Sequence, residues 1–483
     1  MKQSHIIFVC ADQLRYDVLG KGYTPYLDQL AHESITFENA YCASPLCVPA
    51  RGSMFTGMCP NTTGSLINPW EEADAAAGYV KKGIRNLYEI MEDNGWDCIH
   101  SGKQHLFVEG TPLEHRPDTK TQWLTTEQTY KDYLKANGKP MPGGPSFRCL
   151  VPEMLGRTKT IATTCSNANT GCYEPGENFY FDGYFAEAAV RGLKERDLSK
   201  PVFLSAMFLA PHPPFQIPDP WFSKYAPYDV TLPENVGNWY PHQSPLQLYN
   251  VTGALGSHYT KEEWHESWRT YLGLVSLLDH CVGQIIDELK RQDIYKDCLF
   301  IFTSDHGEML GSHRLFQKMC MYQESARVPL YLHLPGMTAD KTRSISDNVS
   351  HIDLLPTLCK YLGIEPELET EGRSLLPLLD GACKLPPRPV FIQYDGNACL
   401  GSCQRCVVDG SMKLIVDTYH EEFFFELYNK TEDPQEMKNL LFEEGYMEEG
   451  RRLFRLLLDH MAASSDSASW NLQAYDNFIQ SSV

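Results

Sequence analysis

Short apolar runs alternate with helical patterns along most of the chain. The runs are rich in β-branched and aromatic residues, and the clearest are IIFVCA (6–11), PVFLSAMFLAP (201–211), CLFIFTS (298–304) and PLYLHLPG (329–336). Apolar residues recur every three or four positions over 262–290, which predicts a long helix. Strands that alternate with helices indicate an α/β fold with a large, mostly parallel sheet buried on both faces.

Two segments depart from this alternation. Residues 108–180 are polar, rich in Gly, Pro and Thr, and show little periodicity, so we interpret them as a loop-like insertion that acts as a lid or shapes a substrate site. Near 376–389 a Pro-rich stretch precedes FIQYD, RCVVDGSMKLIVD and EEFFFELYN, which predict an antiparallel meander, followed by a helix over 445–462. We expect a catalytic α/β domain at 1–380 and a small C-terminal α+β subdomain at 381–483.

The composition and charge argue against several kinds of protein, including nucleic-acid-binding and membrane-spanning proteins. The chain has 42 Lys+Arg against 62 Asp+Glu, a formal charge of −20, and it lacks the Lys/Arg-rich run that a nucleic-acid partner requires. No apolar run approaches the roughly 20 residues of a membrane helix, and the stretch before Asp12 is too short for a signal peptide. With 16 cysteines in 483 residues, the density is below that of disulfide scaffolds. We expect a cytoplasmic enzyme, or a periplasmic or secreted one if a leader has been removed.

Chemically capable side chains follow several of the predicted strands. In open α/β sheets, ligands bind beyond the carboxyl ends of the strands, so groups that follow different strands belong to one site. Each residue alone could be a turn, cap or surface residue, but their convergence predicts a single site. The residues are Asp12 and Gln13 after 6–11, Lys103 and His105 after 97–100, His212 after 201–210, and Asp305 and His306 after 298–304.

A cysteine and an arginine mark the start of a predicted helix in SPLCVPARGSMFTG (44–57). Pro49 fits the first turn of a helix, and Gly57 can end it. Cys47 would then lie at a helix N-terminus beside Arg51, where positive potential favours an anion. A buried, inert cysteine is the common fate of a free thiol, and a thiolate nucleophile served by a histidine is the alternative.

An ordered set of motifs resembles the type I sulfatase family. Cys47-Val-Pro-Ala-Arg51, followed by Thr56-Gly57, is similar to the family signature Cys-x-Pro-Ser-Arg with a later Thr-Gly, with Ala50 in place of Ser. The resemblance covers nearly the whole chain and implies an alkaline-phosphatase-like α/β sandwich. The other similar motifs are Asp12-Gln13, GKQHL (102–106), PHPPF (211–215), SDHGEMLGSH (304–313) with Lys318 after it, GRSLLPLLDG (372–381) and ELYNKTEDPQEMKNL (426–440).

This resemblance implies a sulfuric ester hydrolase in which a maturase oxidises Cys47 to Cα-formylglycine. The maturase would be a formylglycine-generating enzyme or an anaerobic sulfatase-maturating enzyme. The hydrated aldehyde would attack sulfur, and Asp305 would accept its proton. The assisting residues would be Arg51 and His105, which hold the diol, Lys103 and Lys318, which bind the sulfuryl oxygens, and His212, which protonates the leaving alcohol.

The same motifs imply a divalent cation. Its expected ligands are Asp12, Gln13, the modified Cys47, Asp305 and His306. Mainly oxygen ligands suit Ca²⁺, the imidazole leaves room for Mn²⁺, and Mg²⁺ is a further candidate. Gln13 replaces the second Asp of many sulfatases and His306 the frequent Asn. Similar variants occur in some sulfatases and in the related phosphonate monoester hydrolases, so a phosphonate monoester or phosphodiester hydrolase with the same formylglycine site is the alternative.

The expected substrate is a small sulfated carbohydrate, for example a glycosaminoglycan fragment. His115 and Arg116 in the 108–180 insertion are candidates to bind a substrate carboxylate or a second sulfate. Aromatic pairs at 221–222 and 239–240 would either stack on sugar faces or pack in the core. A protein that binds sulfated glycans without turnover is a third hypothesis, which the complete set of predicted catalytic groups disfavours.

Overall fold

The computed structural model describes residues 4–72, 74–156, 158–226, 230–338, 341–365, 370–381 and 385–482. Its strands are His5–Asp12 (β1), Ile35–Tyr41 (β2), Asp97–Gly102 (β3), Phe107–Val108 (β4), Thr111–Pro112 (β5), Gln122–Thr125 (β6), Arg148–Leu155 (β7), Lys159–Ser166 (β8), Thr170–Cys172 (β9), Val202–Pro211 (β10), Phe215–Ile217 (β11), Cys298–Ser304 (β12), Arg327–Val328 (β13), Leu330–His333 (β14), Arg343–Ser350 (β15), Val390–Tyr394 (β16), Cys403–Asp409 (β17), Met412–Tyr419 (β18) and Glu422–Asn429 (β19). Its α-helices are Pro25–His32 (α1), Cys47–Thr56 (α2), Pro60–Thr63 (α3), Leu87–Asp93 (α4), Glu127–Ala136 (α5), Phe181–Glu195 (α6), Val251–Gly256 (α7), Lys261–Arg291 (α8), Gln323–Ala326 (α9), Leu354–Leu362 (α10), Leu376–Leu379 (α11), Met447–Ala463 (α12) and Leu472–Ser482 (α13).

A mixed sheet lies at the centre of the molecule. Within the described chain it has nine strands in the order β13-β2-β14-β12-β1-β10-β3-β6, with β15 beside β2. The run from β12 to β6 is parallel, whereas β14 is antiparallel to both of its neighbours. Every residue of β10 is buried, as expected for a strand covered on both faces. The predicted fold class, a large mixed and mostly parallel sheet, is confirmed.

The long helix α8 agrees with the helix predicted over 262–290. Thr260 and Glu263 form a capping box at its start: the Thr260 hydroxyl accepts from the Glu263 amide, and the Glu263 carboxylate accepts from the Thr260 amide. Its apolar side packs against α6, β10 and β11. The run at 329–336 forms a shorter strand than predicted, because a turn follows in which Gly336 takes a left-handed φ of 67° and donates its amide to Lys296.

The predicted C-terminal meander is present as the antiparallel sheet β16-β17-β18-β19. Helices α12 and α13 cover it, and a second hydrophobic cluster lies between them and the sheet. The division into domains at 380 and 381 stays a prediction, and residues 382–384 of the Pro-rich stretch lie outside the described residues. Among the described helices, none is both long and apolar enough to cross a membrane.

The segment 108–180 contains more regular structure than its sequence pattern indicated. Strand β6 pairs with β3, helix α5 follows it, and β7 and β8 form an antiparallel hairpin. The expectation of a loop-like segment is therefore wrong. The hairpin lacks an apolar run because polar and apolar residues alternate on partly exposed strands, and threonine, which favours strands, supplies several of the polar positions. A lid function for this segment stays a prediction.

Candidate active site

The carboxyl ends of five parallel strands supply side chains to one edge of the sheet. The strand order brings together the residues that follow the four strands predicted from the sequence, and it adds a fifth strand, β6, that was not predicted. The groups are Asp12 at the end of β1, Lys103 and His105 after β3, Glu127 after β6, His212 after β10, and Asp305 and His306 after β12. Helix α2 adds Cys47 and Arg51, and the loop before α9 adds Lys318.

Helix α2 presents Cys47 in its first turn. Leu46 is the extended N-cap residue, and Gly57 ends the helix with a left-handed φ of 70° while its amide donates to Ser53. The predicted helix, with Pro49 in the first turn, is confirmed. All ten helical residues are buried, so the position of the thiol is fixed by packing on every side.

The thiol of Cys47 lies among cationic groups. Its Sγ is 3.8 Å from Nζ of Lys103 and 3.1 Å from Nε2 of His306. Burial alone would raise the pKa of Cys47, but Lys103, Lys318 and His306 lower it well below the ordinary value. Burial instead raises the pKa of Cys10, a buried cysteine of β1. The surroundings of Cys47 therefore favour an anion, unlike those of an inert buried cysteine.

Arg51 connects the two carboxylates of the site. Its fully buried guanidinium donates from Nη2 to Asp12 Oδ2 at 3.2 Å and from Nε to Asp305 Oδ2 at 3.1 Å. A third bond runs from Nη1 to the Lys103 carbonyl at 2.9 Å. The planar fork of donors thus fixes both acids relative to β3.

The surroundings of Asp12 favour its ionised form. Lys103 Nζ donates to its Oδ2 at 2.6 Å. Burial and Cys47 act to raise the pKa of Asp12, but Lys103, His212 and Arg51 lower it below its usual range. Burial and the charge on Asp12 raise the pKa of the second acid, Asp305.

Four of the predicted metal ligands converge. Ligand atoms of Asp12, Cys47, Asp305 and His306 all lie within 4.8 Å of one another. His306 Nδ1 lies 3.0 Å from the Gly307 carbonyl; a carbonyl only accepts, so Nδ1 carries a proton, and Nε2 is the nitrogen that can coordinate a metal once the ring is neutral. Two buried carboxylates beside an imidazole lone pair fit a divalent cation.

Gln13, the fifth predicted ligand, is held in an unusual conformation. Its φ of 68° is left-handed, uncommon for a residue with a side chain. Its amide N–H donates to Asp305 Oδ1 at 3.2 Å, and its Oε1 accepts from Lys318 Nζ at 2.7 Å. Its Nε2 donates to Glu308, so the side-chain oxygen faces Lys318.

Glu308 is a residue that the sequence argument missed. Its carboxylate is fully buried and accepts from the amides of Leu310 at 2.8 Å and Gln317 at 2.6 Å, besides Nε2 of Gln13. The sequence feature that could have identified it is its position three residues after Asp305, in SDHGE. Through Gln13 it orients one of the five predicted metal ligands.

His105 and Glu127 form a carboxylate–imidazole pair. Nε2 of His105 lies 2.8 Å from Oε2 of Glu127. Burial and Lys103 act to lower the pKa of His105, but Glu127 and Cys47 raise it. Burial acts to raise the pKa of Glu127, yet His105 and Lys103 lower it to about 2. The segment 108–180 thus contributes a charged group to the site, which the sequence argument did not include.

The two candidates in the insertion lie outside this cluster. His115 is exposed, and Arg116 pairs with Asp118 at 2.7 Å and Glu89 at 3.0 Å. Their role in substrate binding stays a prediction. Two of the aromatic candidates for sugar stacking have partners within the protein. Trp221 donates its Nε1 to Glu177, and Nζ of Lys224 lies over its ring. Tyr240 contacts the ring of His313.

The sequence matches two family models and is similar to curated proteins. Residues 4–364 match the family model described as Sulfatase, and residues 311–463 match the one described as N-sulphoglucosamine sulphohydrolase, C-terminal. An arylsulfatase of Clostridium perfringens (strain 13 / Type A) is 27% identical over 478 residues, which cover 95% of this chain and 94% of the relative.

Solved structures share the fold. A phosphonate monoester hydrolase of Agrobacterium radiobacter superposes with a TM-score of 0.74 at 21% identity, covering 96% of both chains. BT4656, solved in complex with its substrate D-glucosamine-2-N,6-O-disulfate, superposes with a TM-score of 0.71 at 19% identity, covering 96% of this chain and 99% of that one. At these identities the likeness concerns the fold alone.

Proposed function

The chain belongs to the sulfatase family of the alkaline phosphatase superfamily and is a sulfuric ester hydrolase; we propose that it hydrolyses the sulfate ester of a sulfated sugar, such as a glycosaminoglycan fragment. The observation that carries the proposal is the setting of Cys47. The thiol lies at a helix N-terminus, Lys103, Lys318 and His306 lower its pKa, and two carboxylates lie beside it. A pocket of this charge suits a bound sulfuryl group and an anionic nucleophile.

The nucleophile in this proposal is formylglycine, formed from Cys47 by an oxygen-dependent or radical maturase. Its hydrate supplies one hydroxyl that attacks sulfur and a second whose deprotonation expels sulfate, a step that a plain serine or thiol cannot perform. Asp305 accepts the first proton, and its raised pKa suits a base that must later release that proton. Arg51 holds Asp305 in place, and His105 borders the diol.

A divalent cation would be held by Asp12, Gln13, Asp305, His306 and the modified residue 47. When bound, it polarises an oxygen and acidifies a coordinated hydroxyl. The carboxylate and amide oxygens of this set favour Ca²⁺, and the Nε2 lone pair of His306 also suits Mn²⁺; Mg²⁺ is a third candidate.

The sulfuryl oxygens would be bound by Lys103 and Lys318. Both ammonium groups are nearly fully buried, where a charge–charge interaction is stronger than in water. Lys318 donates to Gln13 at 2.7 Å, so its ammonium group is already oriented when a sulfuryl oxygen binds to it. His212, adjacent to Lys318, protonates the leaving alcohol.

The sugar part of the proposal rests on fold and site together. BT4656 shares the fold and was solved in complex with its substrate, a disulfated glucosamine, and the segment 108–180 adds Glu127 to the site of this chain through its pairing with His105. We further propose that His115 and Arg116 bind a substrate carboxylate or second sulfate in larger substrates. Arg116 would then release Asp118 or Glu89 and form an ion pair with the substrate anion instead.

A phosphonate monoester or phosphodiester hydrolase is the second candidate, because Gln13 and His306 resemble variants found in phosphonate monoester hydrolases and one such enzyme, from Agrobacterium radiobacter, shares the fold. The deciding experiment compares turnover of nitrophenyl sulfate, a nitrophenyl phosphonate monoester and 2-, 4- and 6-sulfated sugars by protein co-expressed with a maturase. Preferential sulfate release, strongest for one sugar, supports the first proposal. Higher kcat/KM on the phosphonate overturns it in favour of the second.

A further inference from the structure

Trp70 is an exposed indole next to the active site. Its side chain is 51% exposed, although burying an indole is usually favourable. Its ring centroid lies 5.2 Å from that of His105 in an edge arrangement and 5.9 Å from that of Phe107. His105 in turn borders Cys47, which raises the pKa of its imidazole. One ring therefore separates the exposed indole from the nucleophile.

The loop that carries Trp70 is attached to the nucleophile helix. The Trp70 amide donates to the Asn68 carbonyl at 2.8 Å, and the Asn68 side-chain oxygen accepts from the Val48 amide of α2 at 3.3 Å. On its other side Asn68 donates its backbone amide to Asn397 at 2.8 Å. The backbone that carries the indole is thus held in place before any ligand binds, which lowers the entropic cost of binding.

Carboxylates accompany this indole. Glu71 and Glu72 follow it and are exposed. Glu127, whose side chain is 37% exposed, pairs with His105, the imidazole that the indole contacts. Sugar hydroxyls can donate to carboxylates, and the apolar face of a pyranose can lie on an aromatic ring. A ring that carries its own carboxylate or extra sulfate would meet like charges here.

We propose that Trp70 determines specificity by stacking on the leaving sugar, and that this sugar ring carries no negative charge other than the sulfate ester that is cleaved. The proposal rests on the proposed function and narrows its substrate class. In this proposal His115 and Arg116 would contact other rings of a longer substrate and not the ring that stacks on Trp70. Trp70 itself takes no part in the chemical step.

The kinetic test compares matched sugar pairs. Methyl glucosides sulfated at positions 2, 3 or 4 and the corresponding methyl glucuronide sulfates differ only at C6, which is a hydroxymethyl group in the glucoside and a carboxylate in the glucuronide. We expect the best glucoside to exceed its glucuronide at least about tenfold in kcat/KM, by about 1.4 kcal/mol. A preference for the glucuronide in every pair would overturn the proposal.

The variants separate stacking from general damage. Trp70→Ala should lower kcat/KM on the best glucoside about 10- to 100-fold, mainly through KM, and Trp70→Phe should restore most of it. Activity on ethyl sulfate, too small to reach the indole, should stay within about twofold of the wild type. Trp470→Phe, at an indole that packs against Phe423 of β19 and Phe454 of α12, is the control and should change the rate on neither substrate. Equal losses of Trp70→Ala on both substrates, or no loss on the glucoside, would contradict the proposal.

A binding measurement keeps this inference separate from the proposed function. Unsulfated methyl glucoside, the product, should change the tryptophan fluorescence of the wild type, and Trp70→Phe should abolish the change. If that change occurs but no sulfated sugar is hydrolysed, the proposed function fails and the stacking role stands. If sulfated sugars are hydrolysed but the fluorescence does not respond, the stacking role fails and the function stands. If neither occurs, both fail.

Discussion

Lys318 and His212 form a directed ammonium–imidazole contact, with Nζ 3.0 Å from Nε2. An ammonium can only donate, so Nε2 accepts and the imidazole proton lies on Nδ1, which faces the Pro213 carbonyl. Burial and Lys318 lower the pKa of His212 to about 4. The imidazole is therefore neutral near pH 7, and an anionic substrate between the two groups would raise its pKa and make it a proton donor.

Replacing His212 with Ala should affect substrates according to their leaving groups. An alkyl alkoxide needs a proton as it leaves, whereas nitrophenolate does not. We expect kcat/KM to fall about 10²- to 10⁴-fold on an alkyl sulfate and only a few-fold on nitrophenyl sulfate, measured as initial rates at equal content of modified residue 47. Similar losses on both esters would argue against the acid role.

Replacing Glu127 with Gln should lower kcat about tenfold, because the amide keeps the size of the side chain but not the charge that raises the pKa of His105. The pH–rate profile should also change shape, since the protonation of His105 no longer depends on that carboxylate. Asp132→Asn, an exposed acid on the same helix α5, is the control and should leave kcat and the profile unchanged. An unaltered profile in Glu127→Gln would show that the pair has no role in turnover.

Removing the charge of Glu308 should weaken metal binding. Glu308 orients Gln13 through Nε2, and loss of such a supporting contact commonly costs about 10- to 100-fold in metal affinity. The measurement is reactivation of chelator-treated Glu308→Gln and wild type by Ca²⁺, Mn²⁺ or Mg²⁺, with the half-saturating concentration as readout. The same titration identifies the preferred ion. Equal half-saturation in both proteins would exclude this supporting role.

Much of the site could be predicted from sequence because its residues follow long apolar strands. Runs such as CLFIFTS are recognisable alone, and parallel strands bring their ends to one edge. Glu127 could not be found in this way, because β6 has only four residues and only Thr125 among them is buried. Its membership in the sheet depends on pairing with β3, a contact that local pattern does not encode. The sequence likewise does not single out Trp70, because its place beside the active site follows from its contact with His105.

The buried acid Glu426 should make stability depend on pH. Its Oε1 accepts from the hydroxyls of Tyr322 and Tyr428, each at 2.8 Å, and burial raises its pKa from 4.5 to about 7. Between these values the folded chain keeps a proton that the unfolded chain has released, so the free energy of unfolding falls as pH rises. Glu426→Gln, which imitates the protonated acid, should reduce this fall by up to about 3 kcal/mol.

The measurement is denaturant unfolding of both proteins at several pH values from 4.5 to 7.5 under one ionic strength. The exposed Glu444 provides the control substitution, Glu444→Gln, which should keep the slope of the wild type. If Glu426→Gln keeps that slope as well, the carboxyl group is not protonated in the folded protein near neutral pH.

The chemical identity of residue 47 tests the central claim most directly. Protein co-expressed with a maturase would be digested, and the peptide containing residue 47 measured by mass before and after incubation with a sulfate ester, beside Cys47→Ser. We expect an aldehyde with multiple turnovers in the wild type, and in Cys47→Ser a stable sulfated peptide without turnover. An unmodified thiol in fully active protein, or multiple turnovers by Cys47→Ser, would contradict the account.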